Sequence, residues 1–443
     1  MISNLFKRIV GSSDRRTQRA KKNIILSISI KGCSILISLL LVPITLRYLN
    51  NYEYGVWLTL SSIIMWINYF DIGLGNGLRN KLAEALARED YELGQKYVST
   101  TVAILSIIML SIYLIYFAVH PILSWNKILN VPEGQINTDL NNLVLIILAF
   151  FSLSFILKFI GNVYLAKQLS VVNDLLGFCG NLLSLCIIYV LTLTTEGNLN
   201  WVAITFTSVP VIVYTIAYPI TFHRYKELKP KFSAINFKYA SSLLSLGGQF
   251  FIIQIACLIV FSTSNFFIAQ LCSPTDVTIY NIAFKYFSIV NMAFVIVITP
   301  FWSAATEAYI KKDILWIKRS VKIILRFFLF LVCVSLIMLF LSNYVYHIWV
   351  QLTIPFSLSC VMMIYVTIVN WNNLYAYFLN GIGKIRIQLY CSILSSIILI
   401  PLAIILGSHW GIIGICVSMC IALSTSAVAL PLQYRSIIKK KDI

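Results

Sequence analysis

The sequence predicts an all-α polytopic membrane protein with twelve transmembrane helices in two lobes of six helices each. Three observations lead to this prediction. The 443 residues are 59% hydrophobic and only 11% charged, with a mean hydropathy of +0.86, which exceeds what a water-soluble domain needs for its core. Long apolar segments recur along the chain, and its two halves resemble each other. Most of the chain is therefore expected to lie in lipid.

Apolar segments of about 20 residues, the length that crosses a ~30 Å hydrocarbon core, define the predicted helices. Residues 327–383 and 387–434 contain no Asp, Glu, Lys or Arg, so each stretch can hold a pair of spans. The twelve predicted helices cover residues 24–46, 54–70, 97–119, 142–165, 171–193, 201–222, 241–271, 277–300, 322–341, 354–379, 387–406 and 411–433.

The basic residues predict the orientation. If the N-terminus is cytoplasmic, only Arg47 and Lys127 of the 34 Lys and Arg fall on the outer side, and four lie within helices. This positive-inside pattern places both termini in the cytoplasm. The same dispersal argues against a nucleic-acid-binding patch, despite the formal net charge of +18. The predicted parts are a basic arm (1–23), a first lobe (24–222), a cytoplasmic linker (223–240), a second lobe (241–433) and a basic tail (434–443).

An internal repeat supports the two lobes. A shift of 223 residues aligns acidic, aromatic and basic positions of the two halves. Six spans per lobe give both lobes the same orientation, so the repeat axis follows the membrane normal, and a substrate cleft is expected between such lobes. The aligned pairs are Glu53–Asp276, Trp57–Tyr280, Glu84–Glu307, Ala85–Ala308, Arg88–Lys311, Asp90–Asp313 and Lys96–Arg319.

Three lysines, Lys31, Lys158 and Lys285, are predicted near the middle of the bilayer. Each lies nine residues from a charged residue at a helix end, or about 13 Å at 1.5 Å per residue. A charge at that depth usually faces a bundle interior or a watery cavity, so we expect these lysines to line the cleft. Asn162 and Asn281 lie on the same helix faces as Lys158 and Lys285. Lysines satisfied by carbonyls or interfacial water are the alternative.

Further polar residues extend this candidate substrate site. The repeat places Gln254 at the position of Lys31, and Asn265 lies on the same face eleven residues later. In the tenth helix, Asn370 and Asn372 are grouped with aromatic residues suited to sugars, although an interfacial aromatic belt explains the aromatics equally well. Arg326, only four residues past Lys322, is a weaker candidate because its side chain can snorkel to the surface.

No Asp or Glu is predicted at the depth of the three lysines, so we expect an anionic cargo to supply the missing counter-charge. The cytoplasmic ends carry charges of both signs. Glutamates four residues before a basic residue suit helical ion pairs, which would gate or brace the inner mouth, although ordinary solvated faces are the alternative. The mouth residues are Asp71, Arg79, Glu84, Arg88, Glu307 and Lys311.

The stretch FDIGLGNGLRNKLAEALARED, residues 70–90, raises a separate question, because its glycines suggest a phosphate-binding loop. It lacks the Lys and Ser or Thr of a P-loop, and it follows a membrane helix rather than a strand. The glycines are therefore expected to form a turn and allow close helix packing. Residues 81–88 predict a short amphipathic helix with Leu82, Ala85 and Leu86 on its apolar face.

The segment YLNNYEYGVWLTLSSIIMWINYFDIGLGNGLRNKLAEALA, residues 48–87, resembles the N-terminal signature of Wzx-type polysaccharide repeat-unit flippases of the multidrug/oligosaccharidyl-lipid/polysaccharide exporter superfamily. The resemblance implies a MATE-like, V-shaped carrier in the bacterial cytoplasmic membrane. Such a carrier moves undecaprenyl-diphosphate-linked oligosaccharide to the outer leaflet by alternating access. It implies coupling to H⁺ or Na⁺, no other cofactor, a lipid-linked anionic oligosaccharide as partner, and assembly proteins such as a polymerase or a chain-length regulator.

Other functions remain as alternatives. An exporter of drugs, organic cations or lipid-linked cell-wall precursors belongs to the same superfamily, and a cation exporter would need an intramembrane carboxylate. A polymerase or glycosyltransferase would need acidic residues in a large outer loop, but the longest outer loop, residues 120–141, offers only Glu133 and Asp139. A structural scaffold would not need buried lysines. The sequence therefore predicts a carrier, without enzymatic activity and without a metal site.

Overall fold

The computed structural model describes residues 15–67, 74–167, 169–244, 263–310, 312–384 and 386–439, and this part of the chain is almost entirely helical. Three short 3-10 turns lie between α9 and α10, at Lys226–Leu228, Phe232–Ala234 and Phe237–Tyr239. The helices are α1 (Arg15–Tyr48), α2 (Asn51–Trp66), α3 (Leu74–Ala87), α4 (Tyr91–Val119), α5 (Trp125–Ile128), α6 (Leu140–Leu157), α7 (Phe159–Ala166), α8 (Ser170–Thr194), α9 (Leu199–Arg224), α10 (Ala240–Leu244), α11 (Ser264–Leu271), α12 (Pro274–Ile310), α13 (Ile314–Val350), α14 (Phe356–Ile382) and α15 (Arg386–Lys439).

Eight helical segments of the described residues are long and apolar enough to cross a membrane, which confirms the all-α membrane fold. They lie in α1, α4, α6–α7, α8, α9, α12, α13 and α15. Gly411, at φ 58° and ψ −139°, divides α15 into two helices that match the predicted eleventh and twelfth spans. The predicted second and tenth spans correspond to α2 and α14, and the seventh is described only at its ends, in α10 and α11. The count of twelve spans stays a prediction.

The predicted repeat is visible in the helix N-termini. Asn50 caps α2 by accepting a hydrogen bond from the N–H of Glu53 at 2.8 Å. Ser273, 223 residues later, caps α12 by accepting from the N–H of Asp276 at 3.2 Å. Each cap satisfies a backbone donor that the helix leaves unpaired, and the acidic residue in the first turn favours the positive end of the helix dipole.

The turns after α3 and α12 repeat the same pattern. Glu89 and Lys312, again 223 residues apart, both adopt a φ of 59°, which few residues other than glycine do. The following residues, Asp90 and Asp313, cap α4 and α13 by accepting from backbone N–H groups at 2.9 Å. Because this uncommon geometry recurs at one fixed spacing, the internal repeat is confirmed.

The chain forms two compact units. The first contains α1, α3, α4 and α6–α10, and its core includes Ile37 and Leu41 of α1 packed against Ile188 of α8. The second contains α2, α5 and α11–α15, with Phe287 and Phe294 of α12 fully buried.

The position of α2 differs from the prediction. The sequence placed it in the first lobe, whereas its contacts group it with the second unit. Its N-terminus packs closely against that of α12. A Cβ atom on Gly55 would overlap with the carbonyl oxygen of Pro274, and the Thr278 hydroxyl donates to the carbonyl oxygen of Asn51 at 2.7 Å. The 223-residue repeat relates Gly55 to Thr278 and Asn51 to Pro274. The two contacts therefore join equivalent positions of the two helices.

The glycine-rich stretch does not form the predicted turn over its described part. α3 begins at Leu74, so Gly75 and Gly77 lie inside a helix. A Cβ atom on Gly77 would overlap with the carbonyl oxygen of Leu243 in α10, which confirms the predicted close packing. The amphipathic helix is also confirmed, but it starts earlier than expected. Its buried face comprises Leu74, Leu78, Leu82 and Ala85, with Leu86 half-buried.

The substitution Gly77→Ala tests this contact. Ala is normally the better helix residue by roughly 0.5–1 kcal/mol, but the added methyl group must push a backbone carbonyl aside, and overpacking of this kind costs about 1–3 kcal/mol. We expect the thermal midpoint of the detergent-purified protein to fall.

Gly177→Ala in α8 is the matched control, because a Cβ atom there meets nothing within 4 Å. Its midpoint should stay the same or rise. Equal midpoints for the two variants would show that α3 and α10 are not held in close contact.

Candidate functional site

Lys31 of α1 has an acidic partner. Its Nζ lies 3.7 Å from Oδ2 of Asp174 in α8, and the exposed fractions of the two side chains are 56% and 15%. The expectation that no carboxylate lies beside the lysines is therefore wrong for Lys31. The tertiary packing explains this: Tyr48 and Thr195, at the other ends of the two helices, are joined by a 2.8 Å hydrogen bond, so α1 and α8 run side by side in the same direction.

The depth of Lys31 in the bilayer stays a prediction. The described apolar part of α1 runs from Ser29 to Tyr48, and the apolar residues Ile24, Ile25 and Leu26 precede it in the sequence.

Lys158 is the single residue that separates two consecutive helices. α6 ends at Leu157 and α7 begins at Phe159, so the predicted continuous helix is divided. The Lys158 N–H donates to Ser154 O at 2.9 Å, its carbonyl oxygen accepts from the N–H of Gly161 at 3.0 Å, and its side chain is exposed. The lysine therefore sits where the helical hydrogen-bonding pattern is interrupted.

The helix α8 approaches both α1 and α7 through adjacent residues. Oδ1 of Asn173 lies so close to Gly161 that a Cβ atom there would overlap with it, and the next residue, Asp174, pairs with Lys31. Asn162, beside Gly161, is half-buried. The first unit thus brings Lys31 and Gly161 to a polar pair, Asn173 and Asp174, that the sequence reasoning missed. The detectable signal was two polar residues together in the first turns of an apolar helix.

Lys285 lies near the middle of the described apolar segment of α12, and its depth in the bilayer stays a prediction. That segment runs from Pro274 to Thr299, which places Lys285 about 17 Å from one end and about 21 Å from the other. Its side chain is half-buried. Its carbonyl oxygen accepts a bond from the Ser288 hydroxyl at 2.8 Å, so this serine is occupied by its own helix.

One turn before Lys285, two predicted amides are brought together. Nδ2 of Asn281 donates to Oδ1 of Asn265 in α11 at 2.8 Å, and Nδ2 of Asn265 donates to the Ser62 hydroxyl of α2 at 2.6 Å. All three side chains are half-buried. The chain of bonds fixes the amides inside the second unit, with Asn281 one helical turn before the lysine.

The amides of α14 have a different role from the predicted one. Asn370 is only 2% exposed, and its Oδ1 accepts from Nδ2 of Asn291 at 2.8 Å. Nδ2 of Asn372 donates to the carbonyl oxygen of Leu423 at 3.1 Å. These bonds join α14 to α12 and α15. Both amides are therefore interhelical contacts, and direct sugar binding by Asn370 is not supported.

The predicted charges at the cytoplasmic mouth do not form the expected pair. Oε2 of Glu84 lies 3.0 Å from Nζ of Lys81, whereas Arg79 and Arg88 are exposed. An exposed pair of this kind contributes about 0–1 kcal/mol, in line with an ordinary solvated face. Arg326 is exposed on α13. Four predicted positions lie outside what the structure describes: Asp71, Gln254, Lys311 and the side chain of Glu307.

The described residues contain no group of three or more His, Cys, Asp and Glu side chains placed to hold a metal ion. The site is instead a set of lysines and amides in each unit. The first unit holds Lys31, Lys158, Asn162, Asn173 and Asp174. The second holds Ser62, Asn265, Asn281 and Lys285.

Solved structures with a similar fold are transporters. The inward-facing conformation of a multidrug resistance MATE family transporter of the MOP superfamily matches with a TM-score of 0.76 at 13% identity, over 95% of this chain and 99% of that one. The outward-facing conformation of a MATE family transporter matches with a TM-score of 0.65 at 15% identity, over 96% and 97%. At these identities the likeness establishes the fold.

Relatives by sequence cover nearly the full length. A Salmonella typhi protein named "Putative O-antigen transporter" is 24% identical over 90% of this chain and 92% of its own length. A Yersinia pseudotuberculosis protein named "Putative O-antigen export protein" is 23% identical over 92% and 94%. The polysaccharide biosynthesis protein family matches residues 20–306. This chain is a multi-pass membrane protein with the MATE fold and belongs to the polysaccharide biosynthesis protein family.

Proposed function

We propose that this protein is a flippase that moves an undecaprenyl-diphosphate-linked oligosaccharide, an O-antigen or capsule repeat unit, from the inner to the outer leaflet of the bacterial cytoplasmic membrane. The observation that carries the proposal is Lys285, a cationic side chain within the apolar segment 274–299 of α12, one helical turn after Asn281, which is bonded to Asn265. The family and the names of the relatives agree with a polysaccharide cargo.

The chemistry of the cargo fits these groups. A diphosphate is anionic, and contacts between ammonium groups and phosphate oxygens are strong where water is scarce. Lys285 and Lys158 supply the positive charge, and the amides near Lys285 supply donors and acceptors for sugar hydroxyl groups. The prenyl chain needs only lipid, so it remains outside the polar positions during transport.

The ion pair of Lys31 and Asp174 provides a way to release the cargo from the site. A permanently unpaired cation would hold a dianionic headgroup too tightly for turnover. Asp174 competes with the cargo for the same ammonium group, and because the Lys31 side chain is 56% exposed, the pair resembles surface ion pairs worth about 0–1 kcal/mol. The cargo phosphate displaces Asp174 on binding, and the carboxylate returns as the cargo leaves. Coupling to H⁺ or Na⁺ would act at this carboxylate.

The cycle that we propose is alternating access, in which the polar positions open in turn to the two faces of the membrane. The positive-inside pattern supports cytoplasmic termini. No enzymatic step is proposed: of the two acids in the long outer loop, Asp139 caps α6 by accepting from the N–H groups of Asn141 and Asn142. Assembly proteins such as a polymerase or a chain-length regulator are proposed as partners at the outer face.

A second candidate is an exporter of organic cations. Asp174, only 15% exposed, is the kind of carboxylate that such a carrier needs and that the sequence reasoning did not find. Its pairing with Lys31 argues against this function, because the lysine repels a cationic substrate. If Asp174→Asn abolishes resistance to a cationic drug but leaves surface glycan unchanged, the second candidate is correct.

Removal of the charge at Lys285 or Lys158 should impair export. A lost charge-assisted bond weakens binding by about 1.5–3 kcal/mol, or by at least about tenfold. We expect Lys285→Gln and Lys158→Gln to reduce surface glycan in cells that depend on this protein, with partial recovery in Lys285→Arg. Glycan is measured on intact cells, and protein amounts by immunoblotting.

Lys322→Gln is the matched control, because Lys322 is an exposed lysine of α13 outside the proposed site. It should leave export at the wild-type level. Unchanged glycan in both test variants, at normal protein amounts, would contradict the proposal.

Asp174→Asn should slow release. Without its carboxylate, Lys31 keeps its charge for the cargo, so we expect lipid-linked oligosaccharide to co-purify with the protein in larger amounts while export falls. The double variant Lys31→Gln/Asp174→Asn removes the excess charge and should export more than Asp174→Asn alone.

Thermal midpoints separate this role from a purely structural one. If the ion pair only stabilises the fold, Asp174→Asn should lower the thermal midpoint and retain no additional cargo. That result would exclude the release mechanism. The flippase function would still be tested by the lysine variants.

A further inference from the structure

The linker between α9 and α10 presents two phenylalanines to the outside. Phe232 is 95% exposed and Phe237 is 55% exposed. Each begins one of the 3-10 turns, Phe232–Ala234 and Phe237–Tyr239. Isolated exposed apolar residues are common, but these two lie in a segment that the protein holds in place at many points.

Two buried side chains of α4 hold the linker backbone. The Ser99 hydroxyl accepts from the N–H of Lys231 at 3.1 Å. The Thr100 hydroxyl accepts from the N–H of Asn236 at 3.0 Å and lies 3.3 Å from the carbonyl oxygen of the same residue. These bonds flank Phe232, so its position on the surface is fixed by structure.

Other contacts bury the inner side of the linker. Nε2 of Gln95 donates to the carbonyl oxygen of Lys229 at 2.9 Å. Leu228 and Ala234 are buried, and Nζ of Lys167 lies 4.2 Å from the centre of the Tyr225 ring. The fold thus buries Tyr225, Leu228 and Ala234 of the linker while it leaves the two phenylalanines outside. Within the described residues these two side chains stay uncovered, so a lipid surface or another molecule is needed to remove them from water.

The position along α4 at which the linker is bonded indicates what covers Phe232 and Phe237. α4 runs from Tyr91 to Val119, and about 20 residues fill a ~30 Å hydrocarbon core, so counting back from Val119 ends near Thr100. The linker is bonded to α4 at residues 95–100 and therefore lies at the boundary between hydrocarbon and water. The positive-inside pattern assigns this boundary to the cytoplasmic leaflet.

The charge of the linker agrees with a lipid surface. Residues 223–240 carry five basic side chains and one acidic side chain, Glu227. Aromatic rings prefer the interface between water and hydrocarbon, and the cytoplasmic leaflet is negatively charged, which attracts lysines close to it. The basic residues are all exposed: Arg224, Lys226, Lys229, Lys231 and Lys238.

We propose that residues 226–239 form an interfacial anchor for anionic phospholipid. Phe232 and Phe237 insert at the boundary of the cytoplasmic leaflet, and Lys229, Lys231 and Lys238 bind the phosphate headgroups. The anchor is separate from the proposed transport of a glycan, because none of its residues belongs to the lysine and amide site. It gives the linker a fixed depth in the membrane.

A tryptophan at position 232 tests the insertion. The full-length Phe232→Trp variant is placed in bilayers of phosphatidylcholine with phosphatidylglycerol, and its extra emission is obtained by subtracting the wild-type spectrum. We expect blue-shifted emission that is quenched by lipids brominated near the headgroup. Glu133→Trp, at an exposed position of the long outer loop, should show neither effect. Emission from position 232 like that of Glu133→Trp would overturn the proposal and point to solvent or a soluble partner.

The lysines are tested by lipid selectivity. In the triple variant Lys229→Gln/Lys231→Gln/Lys238→Gln, the preference for phosphatidylglycerol over phosphatidylcholine should fall by about fivefold per lysine. The preference is measured by native mass spectrometry of retained lipids. The control replaces three other exposed basic residues, Lys312, Arg319 and Lys322, by Gln and should keep the preference. An equal loss in both variants would show a general effect of net charge and overturn the assignment to the linker.

Discussion

A charged or amide side chain within an apolar helix has no water to bond with, and this constraint shapes the whole interior of the protein. Each such group must find a partner on its own helix, on a neighbouring helix or in a ligand. Several serines take the first route, as Ser288 does with the carbonyl oxygen of Lys285. Asn370 and Asn372 take the second, and they join helices. In our proposal, Lys285 contacts a ligand in addition to the protein.

The same constraint explains why polar residues are both structural and functional here. The chain from Asn281 through Asn265 to Ser62 ties three helices of the second unit together, and it also fixes the groups next to Lys285. A bonded amide has less freedom than an unbonded one, so a ligand that meets it loses less entropy on binding. Lys31 and Asp174 form the corresponding polar contact of the first unit.

Glycines and caps organise the ends of the helices. Gly55 and Gly77 allow backbones to approach closely, each against a carbonyl oxygen of another helix. The caps at Asn50 and Ser273, and the turns at Glu89 and Lys312, repeat at one spacing. The two halves therefore share local geometry as well as pattern, although the contacts of α2 group it with the second half.

The sequence by itself determined the membrane class, most helix positions, the repeat and the amphipathic character of α3, because these depend on hydrophobic periodicity, charge and local capping. It also located Lys285 well inside an apolar segment of its helix, since distance along a helix follows from residue count. Only the tertiary structure decided the partners. Asp174 lies early in α8 and looks like an interfacial residue until the parallel packing of α1 and α8 places it beside Lys31. Asn370 looks like a sugar ligand until its burial against Asn291 is known. A side-chain partner on another helix depends on the relative rotation and height of both helices, and these are set by packing of the whole unit rather than by either sequence segment.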